Sequence, residues 1–280
     1  MLNSHKTLVV VLALLVSLSL ACNASFGVSP YTAEETVAQS FEVGASPHVV
    51  VETFNGRIEV ATGSSNTVQV SVTKRGSGTS QSAAQDDLKN VQVTMLQESG
   101  VIRIVARRIN PNNTWGNSGA SATLKVPGGT SLELRSSNGG LTVTGPTSDV
   151  TANTSNGKIQ IEGSQGNLKL DTSNSSIEVN ATSAVVAAHT SNGAIAFRGE
   201  LAQGNHSFRT SNGRITLTLP SNASFNIDAE TSNGKVTSDF AVTRTSASRD
   251  SELRGTIGGN PATSVELRTS NGGIEIQQGK

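Results

Sequence analysis

From Phe41 onward apolar and polar residues alternate in short bursts. HVVVET at 48–53, RIEVAT at 57–62, TVQVSVTK at 67–74, VQVTML at 91–96 and VIRIVAR at 101–107 each place their apolar side chains on one face at period two. That period predicts half-buried β-strands. One stretch breaks it: Ser82–Asn90 (SAAQDDLKN) reads as a short helix. Asn110–Ala120 (NPNNTWGNSGA) reads as a polar loop carrying Trp115, either exposed as a contact residue or folded back onto a sheet.

From about residue 123 a repeat takes over. Thr-Ser-Asn-Gly or a close variant recurs, flanked by short aliphatic alternations, as in LKLDTSNSSIEVNA at 168–181. The turn asparagines Asn138, Asn156, Asn174, Asn192, Asn212, Asn233 and Asn271 are separated by 18, 18, 18, 20, 21 and 38 residues. An early copy, Thr53-Phe54-Asn55-Gly56-Arg57-Ile58, lies before the long loop. Fixed periods of this size are the mark of repeat architectures. The last interval, near two periods, predicts one coil without its signature around Arg254–Gly259.

Two architectures fit. Asn-Gly closes tight hairpins, and the faces would agree, with Leu170 opposite Val179. Alternatively Ser-Asn-Gly is a corner, and each period is one coil pairing in parallel with the coils above and below. The second is preferred, because a solenoid requires the same corner chemistry in every coil and a meander does not. The expected fold is therefore all-β, a single parallel β-solenoid of about 18–21 residues per coil. Stacked corners place Asn55, Asn138, Asn156, Asn174, Asn192, Asn212, Asn233 and Asn271 where their amides can form a hydrogen-bonded ladder. Glycine is expected to supply a positive φ at the corner. Loss of the interior Asn174 side chain is expected to destabilise more than loss of Asn55 near the start.

The amino-terminal segment changes the picture of where this fold resides. Lys6 precedes an apolar run from Leu8 to Leu20 broken only by Ser17 and Ser19. It is shorter than the roughly 20 residues a spanning helix needs and fits a signal segment. Cys22, the only cysteine, follows directly, and Ser19-Leu20-Ala21-Cys22 is similar to a bacterial lipoprotein lipobox. Ala21 fits that pattern and Ser19 departs from it, so the readings are lipidation at Cys22 or ordinary cleavage that leaves a free thiol. Both export the protein to the cell envelope. The expected organisation is a signal peptide at 1–21, an anchor cysteine and flexible tether at 22–40, and a β-solenoid domain at 41–280.

Charge and candidate chemistry narrow the function. Lys plus Arg and Asp plus Glu are each 21. This balance lacks the basic excess of a nucleic-acid binder, so no nucleic-acid partner is expected. Parallel β-helices also carry glycosidases and lyases, which need paired carboxylates. The outward position before each Thr/Ser-Ser-Asn is Arg135, Asn153, Asp171, His189, Arg209, Glu230 and Arg268. Asp171 over His189 is the one candidate dyad, and an exposed surface pair is the simpler reading. His48 and His206 show no partner spacing. The position after the corner glycine is often basic, as at Arg57, Lys158, Arg214 and Lys235, which would suit an anionic glycan or merely a solvated strand edge. Zinc spacing, calcium-type aspartate arrays and phosphate loops do not occur in the sequence, so no metal or cofactor is expected.

The runs VETFNGRIEVATG, KVPGGTSLELRSSNGGLTVTG, TSNGKIQIEG and SVELRTSNGGIEI resemble the bacterial putative-adhesin family of β-strand repeat proteins, over residues 41–278. That family began as a domain of unknown function and is related to the head domain of putative autotransporter adhesins. The resemblance implies a parallel β-solenoid at the cell envelope. It implies no activity and supplies no functional residues. The expectation is a non-catalytic, lipid-anchored surface-binding or adhesion protein with a glycan or protein ligand and a membrane attachment through Cys22. The alternative is a structural or sensory envelope protein without external ligand. A carbohydrate-active enzyme is the third class.

Overall fold

The computed structural model describes residues 31–63, 66–110, 118–244, 249–259 and 261–279. The signal segment, Cys22 and Trp115 lie outside the described residues. Within them the chain is all-β, with 22 strands joined in one hydrogen-bonded sheet and a single nine-residue helix.

The repeats build two facing rows of strands. One row runs through β8 (Ser131–Ser136), β10 (Val150–Thr154), β12 (Gly166–Thr172), the second half of β13 (Ile177–Thr190) and β15 (Asn205–Thr210). Its register sets Leu132 beside Val150, Val150 beside Leu168 and Leu168 beside Val186, all in parallel. The other row runs through β9 (Leu141–Thr144), β11 (Ile159–Glu162), the first half of β13, β14 (Ile195–Leu201) and β16 (Ile215–Leu219). It stacks Leu141, Ile159, Ile177, Ile195 and Ile215 in parallel. Strands on either side of a Ser-Asn-Gly turn pair with neighbouring repeats. Thus β10 pairs with β8 and β12, and β11 with β9 and β13. The hairpin arrangement is excluded by that pairing.

Period-two alternation explains the core. Leu168 and Leu170 from one row meet the level of Ile177 and Val179 from the other, and all four are at most 3% exposed. Phe197 and Phe208 fill the wider later repeats, with ring centroids 5.9 Å apart. The second corner of each repeat uses backbone the first does not. Gly145, Gly163 and Gly199 there adopt positive φ of 104°, 79° and 130°, and Ser183 does so inside β13, where the register shifts between Ala181 and Ala184.

Both ends depart from a purely parallel stack. At the amino-terminal end β2 (His48–Glu52) lies between β8 and β6 (Val101–Arg108), and β3 (Ile58–Thr62) between β9 and β7 (Gly119–Val126). Beyond them pairing turns antiparallel: β4 (Thr67–Gly78) on β7, β1 (Tyr31–Glu42) on β4, and β5 (Val91–Glu98) on β6. Residues 31–40 are therefore a strand and not the tether expected from their composition. β1 is an edge strand that buries only Ala33 and Phe41, so it carries almost no apolar signal. The helix α1 (Gln81–Lys89) packs against β4 and β1 and covers this end. Ser80 caps it by accepting the Ala83 N–H, the usual way an N-cap satisfies an orphan donor.

At the other end β21 (Ser264–Thr269) and β22 (Ile274–Gln278) insert between β15/β16 and the row partners β17 (Phe225–Thr231) and β18 (Val236–Ser238). The segment expected to be a coil without its signature is instead β20 (Glu252–Ile257), antiparallel to β17 and to β19 (Val242–Arg244). An antiparallel cover ends the parallel stack on each side, which is one way native folds manage exposed edges.

His206 sits inside this architecture at 2% exposure. Its Nδ1 accepts the Val186 N–H at 3.2 Å, which leaves Nε2 to donate to the Ala202 carbonyl at 3.0 Å. Burial lowers its pKa below the usual 6.5, with the Ala202 bond opposing. The folded state then binds fewer protons than the unfolded one. Stability should be flat above about pH 6.5 and fall as the pH drops below it. Urea titrations across this range should show the fall in the parent protein and a shallower one in His206→Gln, whose amide can make both bonds. Equal slopes would remove His206 as the cause.

Candidate functional site

Each residue of the Thr-Ser-Asn-Gly corner has a distinct role, and each bonds to or packs on the neighbouring repeat. The threonine ends a strand with its side chain inward and buried. Its hydroxyl donates to the carbonyl at the glycine position of the preceding repeat in the stack: Ser136 to Gly56, Thr154 to Gly139, Thr172 to Gly157, Thr190 to Ser175, Thr210 to Gly193, Thr269 to Gly213 and Thr231 to Gly272, at 2.8–3.0 Å. The serine is at the surface, and its carbonyl accepts the next asparagine N–H, as Ser155 does from Asn174 at 2.9 Å.

The asparagine side chains face outward and hydrogen-bond to one another. Asn138 donates to Asn55, Asn156 to Asn138, Asn174 to Asn156, Asn192 to Asn174, Asn212 to Asn192, Asn271 to Asn212 and Asn233 to Asn271, at 2.5–2.8 Å. All eight asparagines singled out in the sequence thus share one row, in the spatial order 55, 138, 156, 174, 192, 212, 271, 233. Chain order and spatial order part at Asn271, which stands between Asn212 and Asn233. The row is closed at Asn55, whose Nδ2 donates to the Ser118 carbonyl at 3.1 Å. It is open at Asn233.

This shifts the expected weak end. Asn55 and Asn174 each make one donated and one accepted bond, so Asn55→Ala and Asn174→Ala should cost similar amounts, about 1 kcal/mol for exposed amides. Asn233→Ala, which loses one bond, should cost less. Thermal melts of the three variants check the ranking, and Asn233→Ala as the most damaging would contradict it.

The corner glycines correct a second expectation. None of Gly56, Gly139, Gly157, Gly193, Gly213, Gly234 and Gly272 has positive φ. They are needed for close approach. A Cβ on Gly139 would lie 1.7 Å from the Gly56 carbonyl oxygen, on Gly157 1.9 Å from that of Gly139, and on Gly193 1.8 Å from that of Ser175. The threonine links and this glycine packing were not anticipated. Their signal was the constant three-residue offset from the buried hydroxyl to glycine.

The outward rows carry charge, and much of it is paired, within a repeat or across neighbouring ones. Behind the corners, Arg57 meets Glu59, Lys158 meets Glu178, Arg214 meets Glu275 and Lys235 meets Asp250, at 2.6–3.6 Å. The basic stripe seen in the sequence is therefore interleaved with acids. On the opposite row Arg209 pairs with Glu266, and Arg268 and Arg254 both pair with Asp228. The Arg268 hydrogen bond, followed by Arg254, holds the Asp228 carboxyl below its usual range. Asp171 and His189 occupy adjacent register positions, yet no hydrogen bond or ion pair joins them among the described residues. His48 Nδ1 lies 2.6 Å from the Ser131 hydroxyl, a contact between neighbouring strands. The second row also presents a shallow hollow of about 390 Å³, walled by Glu162, Glu178, Asn180, Arg198, Thr216 and Gln277. Its hydroxyls, amides and charges of both signs can hydrogen-bond a polar ligand.

No curated protein matches this sequence. Among solved structures the chain is similar to a putative cell adhesion protein from Clostridium sporogenes, at 10% identity over 88% of this chain and 100% of that one, with a TM-score of 0.33. It is also similar to a putative adhesin from Bacteroides fragilis, at 10% identity over 86% and 97% with a TM-score of 0.40. A putative lipid binding protein from Parabacteroides distasonis aligns at 14% identity over 86% and 96% with a TM-score of 0.38. The family model described as Toastrack DUF4097 matches residues 132–277, which span the repeats from β8 into β22 and just over half of the chain. The chain belongs to the Toastrack DUF4097 family, the putative-adhesin family that its repeats resemble.

Proposed function

We propose that this protein is an exported, non-catalytic β-solenoid, anchored to a membrane of the cell envelope through Cys22, that presents its outer face as a binding or adhesion surface. What carries the reading is the use made of the polar residues. In each repeat the threonine, asparagine and glycine are committed to the neighbouring repeat. Twelve strands in the first row, from β5 to β19, at about 4.8 Å each make a rod of roughly 50 Å. The chain enters that rod at Tyr31, the start of edge strand β1. The nine residues from Cys22 to Tyr31 reach at most about 30 Å. The hollow bounded by Glu178, Asn180, Arg198 and Thr216 is the proposed contact surface for a polar envelope or surface ligand, a glycan or a protein.

The interleaved Arg57–Glu59, Lys158–Glu178 and Arg214–Glu275 pairs favour a second reading, a structural or sensory envelope protein without an external anionic ligand. Protease treatment of intact cells, followed by antibody detection and a lysed-cell control, separates the two. Loss from intact cells is expected for the adhesion surface; survival until lysis would replace it with the structural role. Cys22→Ser should move the protein from the membrane fraction to the soluble one. An unchanged distribution would remove the lipid anchor. Turnover of any member of a broad glycan panel by the mature protein would overturn the non-catalytic reading.

A further inference from the structure

We infer that Asn233-Gly234 is a site of spontaneous deamidation in the folded protein, while the other Asn-Gly steps of the same row are protected by the fold. The chemistry needs only water. The Gly234 backbone nitrogen, giving up its proton, attacks the side-chain carbonyl carbon of Asn233. A C–N bond forms, the amide nitrogen leaves as ammonia, and a five-membered succinimide results. Water then opens the ring at either carbonyl, leaving aspartate or isoaspartate at position 233.

Seven Asn-Gly steps are candidates, at 55, 138, 156, 192, 212, 233 and 271, whereas Asn174 is followed by serine. Attack requires the asparagine side chain to leave its place and the glycine N–H to be reachable. An interior rung such as Asn156 is held from both sides, donating to Asn138 and accepting from Asn174. Its nucleophile is also engaged: the Gly157 N–H donates to Thr154 Oγ1, as the Gly139 N–H does to Ser136 Oγ. Gly56, Gly139, Gly157 and Gly193 are buried, and Gly213 and Gly272 are half-buried. Asn55, at the other end, is closed by the Ser118 carbonyl.

Asn233 differs in how its side chain is held and in the exposure of its glycine. It makes one bond in the row, to Asn271, and among the described residues no group donates to its Oδ1. Gly234 is exposed. The strand that follows, β18, has three residues and pairs with β22 alone among the strands, and a single backbone bond, from the Val236 N–H to the Asp250 carbonyl at 2.8 Å, holds its other edge. The product would propagate the damage. A carboxylate cannot donate to Asn271 Oδ1, and an isoaspartyl link adds a backbone atom just before the β18 register. The row therefore ages from its open end.

The test is incubation of the folded mature protein at mildly alkaline pH, followed by peptide mass spectrometry. Asn233 should gain the mass of an amide-to-acid exchange at least ~10-fold faster than Asn156 and Asn192, whose reaction waits on costlier local opening. In concentrated urea the rates should converge, and Asn233→Gln should abolish the fast phase. Folded-state rates at Asn156 and Asn192 equal to that at Asn233 would overturn the inference, as would a fast phase that survives in Asn233→Gln.

Discussion

Gly157→Ala should lower the unfolding free energy by about 3 kcal/mol, the upper part of the range for overpacking a dense interior. The added methyl would sit 1.9 Å from the Gly139 carbonyl oxygen and 2.4 Å from its carbonyl carbon. These are backbone atoms, so no side chain can rotate away. Relief requires two adjacent repeats to separate at the corner. That separation would stretch the Thr154 link to the Gly139 carbonyl and the Asn156–Asn138 bond together. Ser175 stands at the corresponding place one repeat later and is half-buried there. Gly63→Ala is the control, because a Cβ there meets nothing within 4 Å. It should change stability by less than about 0.5 kcal/mol. Urea unfolding of both variants decides the matter. Matching midpoints would show that close approach is not why the corners use glycine.

That expectation could not be formed from the sequence, although the residue itself was conspicuous. Asn-Gly is a strong turn signal, and turns suggest positive φ. The positive φ values of the repeats lie at the opposite corner, at Gly145, Gly163 and Gly199, where no motif recurs. Strands and their inward faces were legible because alternation reports burial directly: Leu168, Leu170, Ile177 and Val179 read as core and are core. The asparagine row was legible because a constant period places identical residues one above another. What sequence could not carry was the difference between chain order and spatial order. The interval from Asn233 to Asn271 looked like two periods. In the fold it is an antiparallel excursion through β19 and β20, after which the chain returns to insert Asn271 beside Asn212. β1 was invisible for a related reason. An edge strand pairs through backbone groups, which every residue supplies, so YTAEETVAQ showed only its polarity.

Thr172→Val tests whether the inward hydroxyls, and not only the outward amides, join the repeats. Thr172 is 1% exposed, and its hydroxyl donates to the Gly157 carbonyl at 3.0 Å. Valine keeps the shape and the methyl groups, so the core loses no volume. The Gly157 carbonyl loses this donor at a corner where water has no room to replace it. An acceptor left unpaired in that way costs about 1–3 kcal/mol, more than the net worth of a solvent-exposed bond. Thr172→Val should therefore destabilise more than Asn174→Ala, although the asparagine is the more conspicuous residue and its amide bonds are shorter. Thr216→Val on the outward face removes a half-buried hydroxyl from the same repeat family and should be close to neutral. Hydrogen exchange adds a local readout: corner amides on both sides of position 172 should exchange faster in Thr172→Val and remain slow in Thr216→Val. Equal effects for the two valines would mean that apolar packing alone holds the repeats in register, and the buried threonines would then be there for their shape.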